Sequence, residues 1–141
     1  MDIEAVAREI VDACLRVHTR VGPGMLESAY EACMVHELGK RGLSVSKQVP
    51  LPLQYEEEVI DIGYRIDLLV QNAIVLEIKA VNQLLPIHTA QLLSYLRAGG
   101  YRVGFLLNFN SAHMRNGIKR LINDPPQVTG SSPEDHADLG I

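Results

Sequence analysis

Residues 64–80 carry the apolar pattern of a β-hairpin, with charged side chains at positions where a strand in a sheet interior normally has none. Asn72 lies between the two apolar runs, and Asn tolerates the left-handed conformation that a tight reversal needs. Successive side chains of a strand point to opposite faces. The pattern therefore predicts that Asp67, Glu77 and Lys79 lie together on one face of adjacent antiparallel strands.

The same alternation assigns the other face of the hairpin to Tyr64, Ile66, Leu68, Val70, Ile74, Leu76, Ile78 and Ala80. Charged residues are seldom buried unless they are paired or bound to a metal. Two interpretations of the charged trio follow from these residues alone. One is an ordinary ion pair of Lys79 with Asp67 or Glu77 on a solvated face, and the other is a functional cluster.

The chain of 141 residues is long enough for one domain with a substantial core. Its hydrophobic fraction of 47% and charged fraction of 21% are those of an ordinary globular protein. Residues 125–141 contain mainly Pro, Ser, Gly and acidic residues and offer little that packs. We therefore expect one domain over residues 1–124, followed by a disordered C-terminal tail.

No apolar run approaches the roughly 20 residues that a membrane helix needs, and Asp2 and Glu4 make the N-terminus acidic where a signal peptide would be basic. We therefore expect a cytoplasmic protein without a membrane partner. The formal net charge of −4 argues against a protein that coats nucleic acid through a strongly basic surface. It still allows a local basic patch beside an acidic metal site.

Histidine and cysteine spacing narrows the kinds of site further. The five histidines lack the spacing of a zinc site. Cys14 and Cys33 form no Cys-x-x-Cys pair and lie among apolar residues. This setting favours reduced core thiols over reactive ones.

Hydrophobic periodicity and turn residues predict the order of the remaining elements. Apolar residues at three- and four-residue intervals indicate helices over 3–21, 25–41, 87–98 and 112–122. Extended segments are expected over 43–53, 54–60, 63–70, 73–80 and 101–108, with Pro50 and Pro52 placing the first of them at a sheet edge. The unbroken apolar run at 103–107 favours parallel pairing. This order predicts an α/β protein with a mixed sheet flanked by helices.

The segment Gly24-Met25-Leu26-Glu27-Ser28-Ala29-Tyr30 resembles the defining motif of the GxxExxY family, a group within the PD-(D/E)XK nuclease superfamily. The resemblance extends over residues 3–123. The superfamily core is a helix, a three-strand meander, a helix and a strand, so the resemblance implies a restriction-endonuclease-like fold with one helix added at each end. The superfamily's signature is an Asp at the end of the second core strand and Glu-x-Lys on the third. Asp67 and Glu77-Ile78-Lys79 match it.

Two further positions resemble the RecB-like members, which add a Glu from the first core helix and a Gln-x-x-x-Tyr after the third strand. Glu27, Gln91 and Tyr95 are similar to these. One departure is Ile66, which stands where a Pro often precedes the Asp; that Pro is frequently absent from active members too. From the residues alone, Glu27 can also be a simple helix-start carboxylate and Tyr95 a core aromatic.

The resemblance implies a metal-dependent phosphodiesterase that cleaves DNA, with RNA not excluded. Mg²⁺ takes hard oxygen ligands and needs only one or two carboxylates besides water and phosphate, and Mn²⁺ is the other candidate. The implied ligands are Asp67, Glu77 and the main-chain carbonyl of Ile78, with Glu27 binding the ion or its water shell.

Three side chains are implied helpers of the reaction. Lys79 would orient or deprotonate the attacking water, or hold the phosphate; Gln91 would position water or substrate; Tyr95 would form a hydrogen bond with a phosphate or another ligand. The alternative function is a non-catalytic module that binds nucleic acid or protein and retains the fold. A homo-oligomer is compatible with the sequence.

Arg115, Lys119 and Arg120 are weaker candidates for contacts with a nucleic-acid backbone. Arg115 and Lys119 are four residues apart on the predicted last helix, so they would share a face. A solvated helical face is the more ordinary interpretation of such a group.

Overall fold

The structure is a computed structural model that describes residues 1–124, and the predicted tail at 125–141 lies outside them. The helices of this part are α1 (Ile3–Val21), α2 (Glu27–Lys40) and α3 (Pro86–Gly99). The strands are β1 (Val45–Pro50), β2 (Leu53–Tyr55), β3 (Glu58–Ile60), β4 (Arg65–Val70), β5 (Ile74–Lys79), β6 (Val103–Asn108) and β7 (Ile118–Ile122). A 3₁₀ turn at Met114–Gly117 precedes β7.

Five strands form one mixed sheet in the order β1-β4-β5-β6-β7, while β2 and β3 pair with each other outside it. Strands β5 and β6 are parallel, and the other neighbours are antiparallel. Helix α3 makes the crossover that a parallel pair requires. The predicted α/β class, the meander followed by a helix and a strand, and the restriction-endonuclease-like fold are confirmed.

The sheet lies between two helical layers. Helices α1 and α2 cover one face through a core that includes Ile10, Tyr30, Leu68, Leu76 and Phe105. Helix α3 covers the other face through a smaller core that includes Leu69, Val75, Leu92, Leu96 and Leu106. At Gly104, a Cβ atom would meet the side chains of Leu96 at 3.0 Å and Leu92 at 3.2 Å, so the glycine allows α3 to pack closely on the sheet.

Helix α1 has the predicted bounds, and its ends have local causes. The carboxylate of Asp2 caps it by accepting hydrogen bonds from the amides of Glu4 and Ala5, at 3.0 and 3.2 Å. Gly22, with φ of 75°, ends it in a conformation that other residues avoid. Cys14 is fully buried, and burial raises the pKa of its thiol.

The predicted last helix, 112–122, is wrong. Residues 118–122 form β7, which pairs antiparallel with β6 from Ile118 opposite Leu107 to Ile122 opposite Val103. Strand β6 is buried on both faces, so without β7 its outer N–H and C=O groups would lack partners. Apolar residues at 114, 118 and 121 fit helical spacing, but hydrogen bonding to β6 decided the outcome.

Two details of the predicted strands also differ. Residues 54–60 form a tight hairpin of β2 and β3 that turns at Glu56, where φ is 55°. The predicted alternation also fails at the start of β4, because Ile66 packs in the core on the α3 side. Pairing of β4 with β5 ends at Leu68, and before that residue the strand is paired with β1 alone, which allows a stronger local twist.

None of the helices in the described part of the chain is long and apolar enough to cross a membrane.

Candidate active site

Strands β4 and β5 separate at the positions of their acidic side chains, Asp67 and Glu77. Backbone pairing of β4 with β5 ends at Leu68 and Leu76. Beyond it, the Asp67 carboxylate accepts a hydrogen bond from the Ile78 amide at 2.9 Å, and the Glu77 carboxylate accepts one from the Asp67 amide at 3.2 Å. The carboxylates thus satisfy main-chain donors that the sheet leaves free, and both are held in place by the backbone.

Burial makes this pair of carboxylates unusual. Glu77 is 5% exposed, and burial, followed by the negative charge of Asp67, raises the pKa of Glu77 to about 8. Burial also raises the pKa of Asp67, although hydrogen bonds from Ile78 and Gln48 offset part of the effect. Two poorly solvated carboxylates that repel each other form a site that a cation would stabilise.

Lys79 lies on the same strand face as Glu77 and is half-buried. Its positive charge offsets part of the rise in the pKa values of Asp67 and Glu77. Among the described residues, it forms no salt bridge with either carboxylate. The ion-pair interpretation therefore does not describe this structure, and the ammonium is available for other partners.

Glu27 reaches the site from the first turn of α2. Its carboxylate accepts a hydrogen bond from the amide of Ala80, just after β5, at 3.2 Å. Its negative charge contributes to the raised pKa of Asp67. Glu27 is therefore more than a carboxylate at a helix start, because it accepts from the residue that follows the strand carrying Glu77.

Tyr30 explains why α2 begins where it does. Its hydroxyl donates to the carbonyl of Gly22 at 2.6 Å and accepts from the amide of Met25 at 3.1 Å. Its buried ring stacks on Phe109, with ring centroids 4.7 Å apart. The tyrosine thus holds the loop before α2 against the sheet and places Glu27 beside β5.

Helix α3 brings Tyr95 to the site, and Gln91 lies one helical turn before it. The Gln91 amide donates to the Tyr95 hydroxyl at 3.2 Å. Burial, followed by the negative charge of Glu77, raises the pKa of Tyr95. The ring of Tyr95 contacts Tyr64 at 5.9 Å between centroids and packs on the α3-side core. Tyr95 is therefore both a core aromatic and a neighbour of the carboxylates.

Two residues near the site were missed from the sequence. The Gln48 amide on β1 contacts both carboxylate oxygens of Glu31, at 3.1 and 3.2 Å, and one oxygen of Asp67 at 3.5 Å. Glu31 lies one helical turn after Glu27, and this spacing could have identified it. No local signal marks Gln48.

The three basic candidates do not form one surface. Arg120 pairs with Glu4 of α1, at 2.6 Å, on the sheet face opposite Glu77. Lys119 lies on the α3 side and donates to the Thr89 hydroxyl at 3.1 Å. Arg115 is exposed in the 3₁₀ turn. The predicted shared helical face is therefore wrong, because these residues belong to a turn and a strand.

Within residues 1–124, no group of three or more His, Cys, Asp and Glu side chains is arranged to hold a metal ion. Asp67 and Glu77 nevertheless fit a hard dication chemically, since Mg²⁺ needs only one or two carboxylates and keeps several waters. The raised pKa of Glu77 fits this chemistry, because burial and then the negative charge of Asp67 oppose its ionisation, and a nearby cation would favour the ionised form.

Comparison with known proteins identifies the family. A family model described as the PD-(D/E)XK nuclease superfamily matches residues 4–121. Searches of curated proteins and of solved structures gave no significant match. The matched region leaves out only the first residue of α1 and the last residue of β7 among the described elements, and it contains all the residues of the site. The chain belongs to the PD-(D/E)XK nuclease superfamily.

Proposed function

We propose that this protein is a metal-dependent nuclease that hydrolyses phosphodiester bonds, in DNA more readily than in RNA. The observation that carries the proposal is the pair of half-buried Asp67 and buried Glu77, held by backbone amides where β4 and β5 separate, beside Lys79. Two poorly solvated carboxylates lower the stability of a fold unless a cation neutralises them, so such pairs often mark functional sites. Membership of the superfamily supplies the reaction class.

The proposed ligands of Mg²⁺ or Mn²⁺ are the carboxylates of Asp67 and Glu77 and the main-chain carbonyl of Ile78. Glu27 holds the ion or its water shell. When bound, the ion supplies Lewis-acid chemistry, since it makes water more acidic and stabilises negative charge on phosphate. The carboxylates hold the ion in a fixed place because Ile78 and Asp67 amides orient them.

The other side chains act on water and substrate. Lys79, with no salt bridge to Asp67 or Glu77 in the described part, orients or deprotonates the attacking water or holds the phosphate. Gln91 positions water or substrate, and the Tyr95 hydroxyl donates a hydrogen bond to phosphate. The contact between Gln91 and Tyr95 supports a joint role, because it fixes both polar groups on the helix face near Glu77.

We further assign the chain to the GxxExxY group and to its RecB-like relatives. Each motif residue has a structural role that supports this assignment. Gly24 adopts φ of 101°, Glu27 accepts from the amide of Ala80 just after β5, and Tyr30 holds the loop before α2. The proposal includes a cytoplasmic location and allows a homo-oligomer. Arg115 and Lys119, which are both exposed, remain proposed contacts for phosphate, and Arg120 is the weaker candidate because it pairs with Glu4.

The test is incubation of purified protein with single-stranded, duplex and branched DNA and with RNA, each with and without Mn²⁺. Asp67→Asn serves as the matched inactive control. We expect Mn²⁺-dependent cleavage of at least one DNA substrate, lost in the variant, and saturable Mn²⁺ binding by calorimetry. Nucleic-acid binding without cleavage or Mn²⁺ binding would instead establish the non-catalytic alternative.

A further inference from the structure

Gln48 combines a rare backbone conformation with contacts to two acidic side chains. Its φ is 50°, in the left-handed region that residues other than Gly, Asn and Asp seldom adopt. It lies on β1 between Lys47, which pairs with Leu68, and Val49, which pairs with Ile66. The unusual conformation thus occurs directly opposite Asp67.

The Gln48 side chain links two elements that carry acidic residues. Its Nε2 atom lies 3.1 and 3.2 Å from the two oxygens of Glu31 on α2, and 3.5 Å from Oδ1 of Asp67 on β4. A side-chain amide nitrogen has two hydrogens and can donate to both carboxylates. Glu31 therefore orients the amide of Gln48, and the amide is directed at Asp67.

The two oxygens of Asp67 consequently have different partners. Oδ2 accepts from the main-chain amide of Ile78 at 2.9 Å, and Oδ1 receives the longer contact from Gln48. The first bond fixes where the carboxylate lies, and the second restricts its rotation. Groups that orient a metal ligand in this way act on metal affinity without touching the ion.

We propose that Gln48, held by Glu31, is a positioning residue that orients the Asp67 carboxylate for its cation. This inference rests on the proposed metal-dependent function. The unfavourable φ of Gln48 supports it, because backbone strain of this kind persists where the surrounding contacts require it, and such sites are frequently functional. Glycine at position 48 would remove the strain and the contact together.

Gln71 provides a matched control. It also has a positive φ, 53°, and also holds the chain with its side chain, by accepting from the amide of Ser44 at 2.7 Å. It lies just after β4, at the end of that strand remote from Asp67. Gln48→Gly and Gln71→Gly therefore make the same chemical change in similar backbone, but only the first is adjacent to the acidic residues.

The experiment measures Mn²⁺ affinity by calorimetry and the melting temperature in EDTA for both variants and the unaltered protein. We expect Gln48→Gly to bind Mn²⁺ roughly 10- to 100-fold more weakly, as is typical when a partner of a metal ligand is lost. Its melting temperature should be unchanged or higher, because glycine relieves the positive φ. Gln71→Gly should bind Mn²⁺ like the unaltered protein.

Wild-type Mn²⁺ affinity in Gln48→Gly, or equal weakening in both variants, would overturn the positioning role and leave the nuclease proposal standing. Absence of Mn²⁺ binding by the unaltered protein would overturn both proposals. If Gln48→Gly does not fold, Gln48→Asn takes its place. Asn tolerates a positive φ but is one methylene shorter, so it should also lose Mn²⁺ affinity.

Discussion

The carboxylate of Glu77 accepts a hydrogen bond from the main-chain amide of Asp67, at 3.2 Å, across the point where their strands separate. The two residues are therefore linked by geometry as well as by charge. The bond holds Glu77 in place, while burial and the charge of Asp67 oppose its ionisation. An uncharged isostere of Glu77 would therefore keep the bond and lose the charge.

Replacing either Asp67 or Glu77 by its uncharged amide should remove catalysis without destabilising the fold. We expect Glu77→Gln and Asp67→Asn to abolish cleavage and to weaken Mn²⁺ binding, since each removes an anionic ligand. Both amides keep an oxygen that can accept from the backbone, and both remove the repulsion between the carboxylates. The metal-free variants should therefore melt at or above the wild-type temperature in EDTA, and a Glu77→Gln protein that still cleaves would contradict the assignment.

The stability of the metal-free protein should fall as pH rises from about 4.5 to about 8. The folded-state pKa of Glu77 is raised from 4.5 to about 8, so in this range the folded protein retains a proton that the unfolded chain has lost. Because the unfolded state binds fewer protons, the free energy of unfolding decreases with pH. Urea unfolding in EDTA across this range measures the slope, which should flatten in Glu77→Gln and be opposed by added Mn²⁺.

Loss of the Lys79 ammonium should affect the reaction and not the metal. Lys79→Ala should keep or tighten Mn²⁺ binding, because it removes a positive charge close to a dication. It should slow cleavage roughly 10²- to 10⁴-fold, as when a proton-transfer or electrostatic partner is lost. Lys47→Ala, which changes an exposed lysine of β1, is the control. A Lys79→Ala protein that melts several degrees lower yet cleaves normally would indicate a structural role.

Gln91 should contribute to rate and little to stability. Gln91→Ala removes an exposed amide whose described contact is the Tyr95 hydroxyl, so the free energy of unfolding should change by less than about 1 kcal/mol. Cleavage should slow because water or substrate loses a positioning group. Ser94→Ala tests an exposed position on the same helix and should cleave at the normal rate. Equal rates in the two variants would remove Gln91 from the site.

The Tyr30 hydroxyl should stabilise the fold measurably. Tyr30→Phe keeps the stacked ring but leaves the Gly22 carbonyl and the Met25 amide without their partner, which should cost about 1–3 kcal/mol in urea unfolding. Tyr55→Phe removes an exposed hydroxyl of β2 and should leave stability unchanged. If Tyr30 also places Glu27, its variant should bind Mn²⁺ more weakly, and normal affinity would limit its role to the fold.

Local sequence pattern by itself determined which face of its strand carries Glu77 and where α1 begins and ends. Period-two alternation placed Glu77 on the sheet face opposite Leu76 and Ile78, because that relation depends only on strand geometry. The bounds of α1 followed from an apolar stripe and Gly22. These features involve residues close in sequence, whose interactions are the same in many folds.

Tertiary structure decided the remainder, because it depended on contacts between distant parts of the chain. Residues 118–122 have spacing compatible with a helix, and the free edge of β6 made them a strand. Gln48 is 17 residues from Glu31 and 19 from Asp67, so no local pattern could place its amide between them. The raised pKa of Glu77 likewise arises from burial by the assembled sheet and helices, a property that the Glu-x-Lys motif does not contain.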